Sequence, residues 1–123
     1  ILAERIRGGI EQHGFVVSGE RAAHLSASIG IAPYPLVPDR YSFCSWELVA
    51  SVADEAAYIA KGSGRNAWVS LVGTDTLEPG SLSGGLSARL ERLVTRGELL
   101  LETSVEGNLR RLGGALLQPP GRD

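Results

Sequence analysis

Lys61 and Arg65 stand on either side of a Gly-Ser-Gly turn in the stretch AKGSGRN, residues 60–66. Lysine offers a compact charge and arginine a planar fork of donors, a pair that suits a polyphosphate. The glycines Gly62 and Gly64 let a ligand come close to the backbone. Arg65 lies beyond the turn, at the mouth of the next strand, where it can face the same point as Lys61. The plain alternative is an ordinary capped helix end, because cations there complement the helix dipole.

The elements that must position this turn are legible around it. Ser45 has the character of an N-cap, with Glu47 in the first turn. The helix WELVASVADEAAYIAK follows over about 46–61, with an apolar stripe of Leu48, Val49, Val52, Ala56 and Ile59. Gly62 is expected to end it as the left-handed residue. Residues 66–72 read as a strand. Upstream, Leu2, Ile6 and Ile10 fall at i, i+4 and i+8, so a helix is expected over about 1–12 with these on one face. Phe15, Val16 and Val17 form a short strand turning at Ser18-Gly19-Glu20. From His24 to Ala32, Leu25, Ala27, Ile29 and Ile31 alternate with small residues, which predicts a strand with something packed close against its small face. Pro33, Pro35 and Pro38 make a stiff loop through Tyr41, and Trp46 is expected to pack at the start of its helix. A helix over about 82–96, with stripe Leu86, Leu90, Leu93 and Val94 stopped by Gly97, precedes a last strand at 99–105.

The composition excludes several classes. The 123 residues are 43% hydrophobic and 21% charged, which describes a folded chain of one small domain or a piece of one. A net charge of −2 gives no global attraction for nucleic acid or an anionic membrane, so any anion site must be local. The single cysteine, Cys44, forms no internal disulfide and favours a reducing compartment. No apolar run approaches the ~20 residues that span a bilayer. With no methionine and an uncapped opening helix, the chain is expected to be a fragment of a longer protein. His13 and His24 lack ligand-like spacing.

Three blocks occur in a recognisable order: LAERIR at 2–7, SASIGIA at 26–32 and ADEAAYIAKGSGRNAWV at 53–69. Together they resemble the C-terminal half of a diguanylate cyclase catalytic domain, the family named for its Gly-Gly-Asp/Glu-Glu-Phe loop. The third block, Ala-Asp-x-Ala-x-Tyr-x-Ala-Lys-x-x-Gly-Arg-Asn, is the specific one. The resemblance covers residues 1–72; residues 73–112 are a C-terminal extension, a helix plus a strand, and 113–123 a tail expected to be disordered. It implies an α+β fold, an incomplete domain like the palm of nucleotide cyclases and polymerases, with a mainly antiparallel sheet flanked by helices. It implies condensation of two GTP molecules into cyclic di-GMP with release of pyrophosphate, by two subunits facing each other as a homodimer. Mg2+ or Mn2+ bridges the phosphates in such enzymes.

Carried over by position, Lys61 matches the lysine that contacts the GTP phosphates and Arg65 the arginine beside it. Arg5 matches a position that in some members helps bind product at an inhibitory site; the Arg-x-x-Asp motif that completes such a site is not in the chain, and a solvated helix residue is the alternative reading. The Gly-Gly-Asp/Glu-Glu-Phe loop and the metal carboxylates are also absent, so the metal ligands are expected upstream and the chain alone is expected to be inactive. Ala57 replaces a larger apolar residue and is expected to leave a gap costing ~1–3 kcal/mol. The resemblance further implies an upstream sensor domain and a cytoplasmic location, including the cytoplasmic end of a membrane-anchored sensor, with no membrane contact by this segment. The rival reading is a degenerate member that binds GTP or cyclic di-GMP without catalysis.

Overall fold

The computed structural model describes residues 2–19, 21–82 and 86–105, with residues 111–112 and 115–116 described in their backbone. The fold is α+β. Helix α1 (Leu2–Gln12) leads into a hairpin of β1 (Gly14–Ser18) and β2 (Arg21–His24). Then come β3 (Ser28–Ile31), α2 (Trp46–Gly62), β4 (Ala67–Gly73), a 3-10 turn (Pro79–Leu82), α3 (Leu86–Thr95) and β5 (Leu99–Thr103). Two short strands, β6 (Arg111–Leu112) and β7 (Ala115–Leu116), pair antiparallel. Ala115 and Leu116 are therefore a strand, not the disordered tail expected from 113 onward; the rest of that tail lies outside the described residues.

The central sheet has the order β3-β4-β5 and is mixed rather than mainly antiparallel. β3 and β4 run parallel, in register from Ser28–Ala67 to Ile31–Ser70, because α2 carries the chain back across one face. β5 returns antiparallel, from Val69–Thr103 to Gly73–Leu99. β3 is an edge of this sheet.

Successive residues of β4 point to opposite faces. Val69 and Leu71 join the core beneath α2, formed with Val49, Val52, Ala56 and Ile59. Leu86, Leu90 and Leu93 of α3 and Leu99 and Leu101 of β5 complete it. The proline-rich loop, read from sequence only as a stiff connector, contributes Leu36 and Val37, both with no exposed surface, and Phe43. It is held by the Gly73 amide, which donates to the Leu36 carbonyl at 2.9 Å.

The small face of β3 is explained by α2. A Cβ on Gly30 would overlap the Ala53 carbonyl oxygen and the Ala57 amide nitrogen, and would lie 2.9 Å from the Ala57 Cα. The helix backbone therefore rests directly on the strand. Ala57 is half-buried, and its backbone forms part of this contact.

The helix expected over about 1–12 is α1; Leu2 and Ile6 on it are exposed, and its buried residue is Ala3. Two further expectations need correction. Trp46 is 66% exposed rather than packed. The predicted strand from 24 splits, since His24 ends β2, Leu25 is exposed and β3 starts at Ser28.

Candidate functional site

The turn carrying Lys61 and Arg65 is built by the end of α2. Ser45 caps the start of that helix, its hydroxyl accepting from the Leu48 amide at 3.3 Å. At the other end Gly62 remains helical, Ser63 is the C-cap, and Gly64 takes the left-handed conformation with φ +102°. The left-handed residue is Gly64, not Gly62 as expected. The Ser63 amide donates to the Ile59 carbonyl at 2.9 Å, and the Arg65 amide reaches back to the Ala60 carbonyl at 3.1 Å. That last bond spans five residues and is the longer bond of a Schellman closure. Arg65 and Asn66 continue with positive φ, +63° and +49°. Three consecutive left-handed residues thus reverse the chain into β4.

Lys61 and Arg65 are both exposed. Among the described residues neither forms an ion pair. They flank one tight turn, so two cations stand available to an anion there. Arg5, also exposed, lies on α1, beside an open groove with Ile6, Gly9, Ile10, His13 and Phe15. The groove that Arg5 lines includes neither Lys61 nor Arg65.

Sequence reasoning missed a second set of residues, which fixes where the turn sits. Arg7 of α1 donates to Glu4 and to Glu11, at 3.3 Å, and across to the Asn66 side chain at 3.0 Å. Asn66 donates onward to Glu11. On the same face of the sheet, Trp68 directs its indole N–H to Glu4 at 3.2 Å. Its backbone is bracketed by Ser104 and Thr103, whose hydroxyls bond its amide and carbonyl at 3.0 and 2.8 Å. The LAERIR and GRNAW blocks, far apart in sequence, thus meet. The available signal was the Glu4–Arg7–Glu11 spacing of i, i+3 and i+7, which lines acids and a base along one helix face.

The network sets the local electrostatics. The hydrogen bond from Arg7, reinforced by its charge and by the Trp68 N–H, holds the Glu4 carboxyl below the usual carboxylate range against a smaller opposing effect of burial. The bond to Glu4 in turn raises Arg7 further, so it stays charged. Burial pushes the Cys44 thiol up, which makes it a poor nucleophile. His13 stacks edge-on against Phe15, with ring centres 4.4 Å apart, and His24 lies against the Glu11 carbonyl at 3.4 Å. Among the described residues no group of three or more His, Cys, Asp or Glu side chains could hold a metal ion. Nor among them is any helix long and apolar enough to cross a membrane.

Over 65 residues, 53% of the chain, the sequence is 40% identical to an uncharacterized membrane protein of Staphylococcus saprophyticus. The match covers only 17% of that relative's length. No family model and no solved structure matches the chain.

Proposed function

We propose that this chain is the phosphate-binding half of a diguanylate cyclase domain, palm-like in fold, in which Lys61 and Arg65 hold the GTP phosphates. The observation that carries the reading is one turn that leaves two cations exposed, without ion-pair partners among the described residues, at a backbone locked by a Schellman closure and by Asn66. A turn so anchored fixes the backbone from which both side chains spring, which lowers the ordering cost of binding. Lys61 neutralises phosphate charge as a point cation, and Arg65 engages two phosphate oxygens at once.

In this reading the 3′-hydroxyl of one GTP attacks the α-phosphate of a second GTP held on a facing subunit. Pyrophosphate leaves, and a second such step closes cyclic di-GMP. Among the described residues β3 lies at one edge of the central sheet, which suits the further strands that a complete palm requires. Among the described residues no group of three or more His, Cys, Asp or Glu side chains could hold Mg2+ or Mn2+; in the proposed enzyme those ligands belong to other parts of the protein. An upstream sensor and a cytoplasmic setting belong to the same reading.

The test is binding of a fluorescent, non-hydrolysable GTP analogue to the chain by anisotropy, with Lys61→Ala and Arg65→Ala. Each substitution is expected to weaken binding roughly tenfold, the loss of one charge-assisted contact, with an unchanged circular dichroism spectrum. Equal affinity in both variants would remove the phosphate role. If nucleotide binds as proposed but the whole protein turns over no GTP, the non-catalytic receptor reading replaces the enzyme.

A further inference from the structure

A cleft of about 720 Å³ opens between the 3-10 turn and α3, and its lining includes neither Lys61 nor Arg65. Its size falls within the ~300–1,000 Å³ of small-molecule sites. Arg89, Arg92 and Arg96 line it from one side, with Glu78 and Glu98 on the same cleft. The arginines lie at i, i+3 and i+7 and so share one helical face. The Arg96 amide donates to the Arg92 carbonyl at 2.9 Å, which carries the helical turn past Thr95. The helix then stops at Gly97, φ +75°, where the Gly97 and Glu98 amides close on Val94 and Leu93 at 3.1 and 2.9 Å. This closure sets Glu98 beside Arg96 on the cleft.

The arginines have different tasks. Arg89 is structural, its guanidinium donating to the Gly80 and Ser81 carbonyls at 3.5 and 3.4 Å, which ties the 3-10 turn to α3. Arg92 and Arg96 are exposed and four residues apart, a like-charge pair that repels. Neither reaches Glu78 or Glu98 within ion-pair distance, although all four line the cleft. A dianion between the two forks would relieve the repulsion with parallel N–H donors. The two carboxylates disfavour an extended polyanion such as nucleic acid but accept well from hydroxyl or amino groups.

We infer that this cleft binds a small phosphate ester that also carries hydrogen-bond donors, its phosphate on Arg92 and Arg96 and its hydroxyl or amino groups on Glu78 and Glu98. The site is independent of the GTP reading, since it shares no residue with the Lys61–Arg65 turn.

The test is an amide-resolved NMR titration of the 123-residue chain with ribose 5-phosphate, inorganic phosphate and ribose at constant ionic strength. Ribose 5-phosphate is expected to produce saturable shifts at Ser81, Arg92, Arg96 and Glu98, inorganic phosphate the same shifts more weakly, and ribose none. Arg92→Gln with Arg96→Gln should weaken binding at least tenfold, and Glu98→Gln should reduce the preference for ribose 5-phosphate over phosphate. Both arginines are exposed, so the fold should survive; the wild-type shift map decides the matter even if it does not. No saturation at the cleft, or shifts confined to residues 61–66, would overturn the inference. Equal affinity for phosphate and ribose 5-phosphate would overturn the part played by the carboxylates.

Discussion

The Arg7 guanidinium donates to the Asn66 side-chain oxygen at 3.0 Å, joining two residues 59 positions apart. Because Asn66 is the last left-handed residue of the turn after α2, this bond and its continuation to Glu11 fasten α1 to the segment that presents Lys61 and Arg65. The turn is thus held from inside by backbone closure and from outside by a helix.

Replacing Arg7 by Ala should loosen the turn without unfolding the core. The Arg65 amide, bonded to Ala60, is expected to exchange with solvent roughly three- to tenfold faster, in keeping with the worth of one part-buried charge-assisted bond to Asn66. Arg7→Lys should not restore protection, since one ammonium cannot serve Glu4, Glu11 and Asn66 in the geometry of the fork. Unchanged exchange in Arg7→Ala would show that the backbone closure suffices alone.

The same network carries a pH dependence. Arg7 and Trp68 hold Glu4 below its ordinary value, so the contribution of Glu4 is fully present above the unfolded carboxyl pKa of about 4.3. It is lost as pH falls through the lower folded value. Glu4→Gln should therefore reduce the thermal midpoint at neutral pH, with the difference from wild type closing in acid. A constant difference across the acid range would contradict the assignment.

Gly30→Ala should be strongly destabilising, because the added methyl meets the backbone of α2 rather than a movable side chain. Forcing strand and helix apart is expected to cost about 1–3 kcal/mol, more than the 0.4–1 kcal/mol or so gained from a less flexible unfolded chain. Urea denaturation gives the value, and an unaltered midpoint would refute the close approach.

Ser45→Ala removes the oxygen that accepts from the Leu48 amide and should cost ~1 kcal/mol. Ser45→Asp should restore the cap and add a favourable interaction with the helix dipole. The pair of midpoints tests the start of α2 independently of its end.

The purified chain is expected to release no cyclic di-GMP from GTP with Mg2+ or Mn2+, since its described residues assemble no cluster of metal ligands. Chromatographic detection of product above a no-protein control would refute this and require ligands supplied by this chain.

Much of the architecture was readable in advance because it depends on local rules. Apolar residues at helical spacing located α2 and α3, and Val49, Val52, Ile59, Leu90 and Leu93 are buried. Gly97 marked the stop of α3, and the structure gives it a positive φ. On α1 the same rules located the helix but said nothing of its buried side, where Leu2 and Ile6 are exposed and Ala3 is buried. Periodicity shows that a helix has a face, not which face finds a partner. The proline-rich loop was under-read for a related reason. Leu36 and Val37 have no period to announce them, and only the packing of the loop into the core beside Gly73 buries them.

The sequence by itself determined that a glycine turn follows α2 and that Lys61 and Arg65 flank it, since helix propensity, capping and turn chemistry act over a few residues. It also marked the small face of β3 as a place of close packing. Tertiary structure alone decided that α2 is what rests on Gly30, that the sheet is mixed, and that Arg7, Asn66 and Trp68 meet at one corner. It alone set Arg92 and Arg96 on a cleft with Glu78 and Glu98. These relations join residues distant along the chain, and they arise only when burial of the common core brings the elements together.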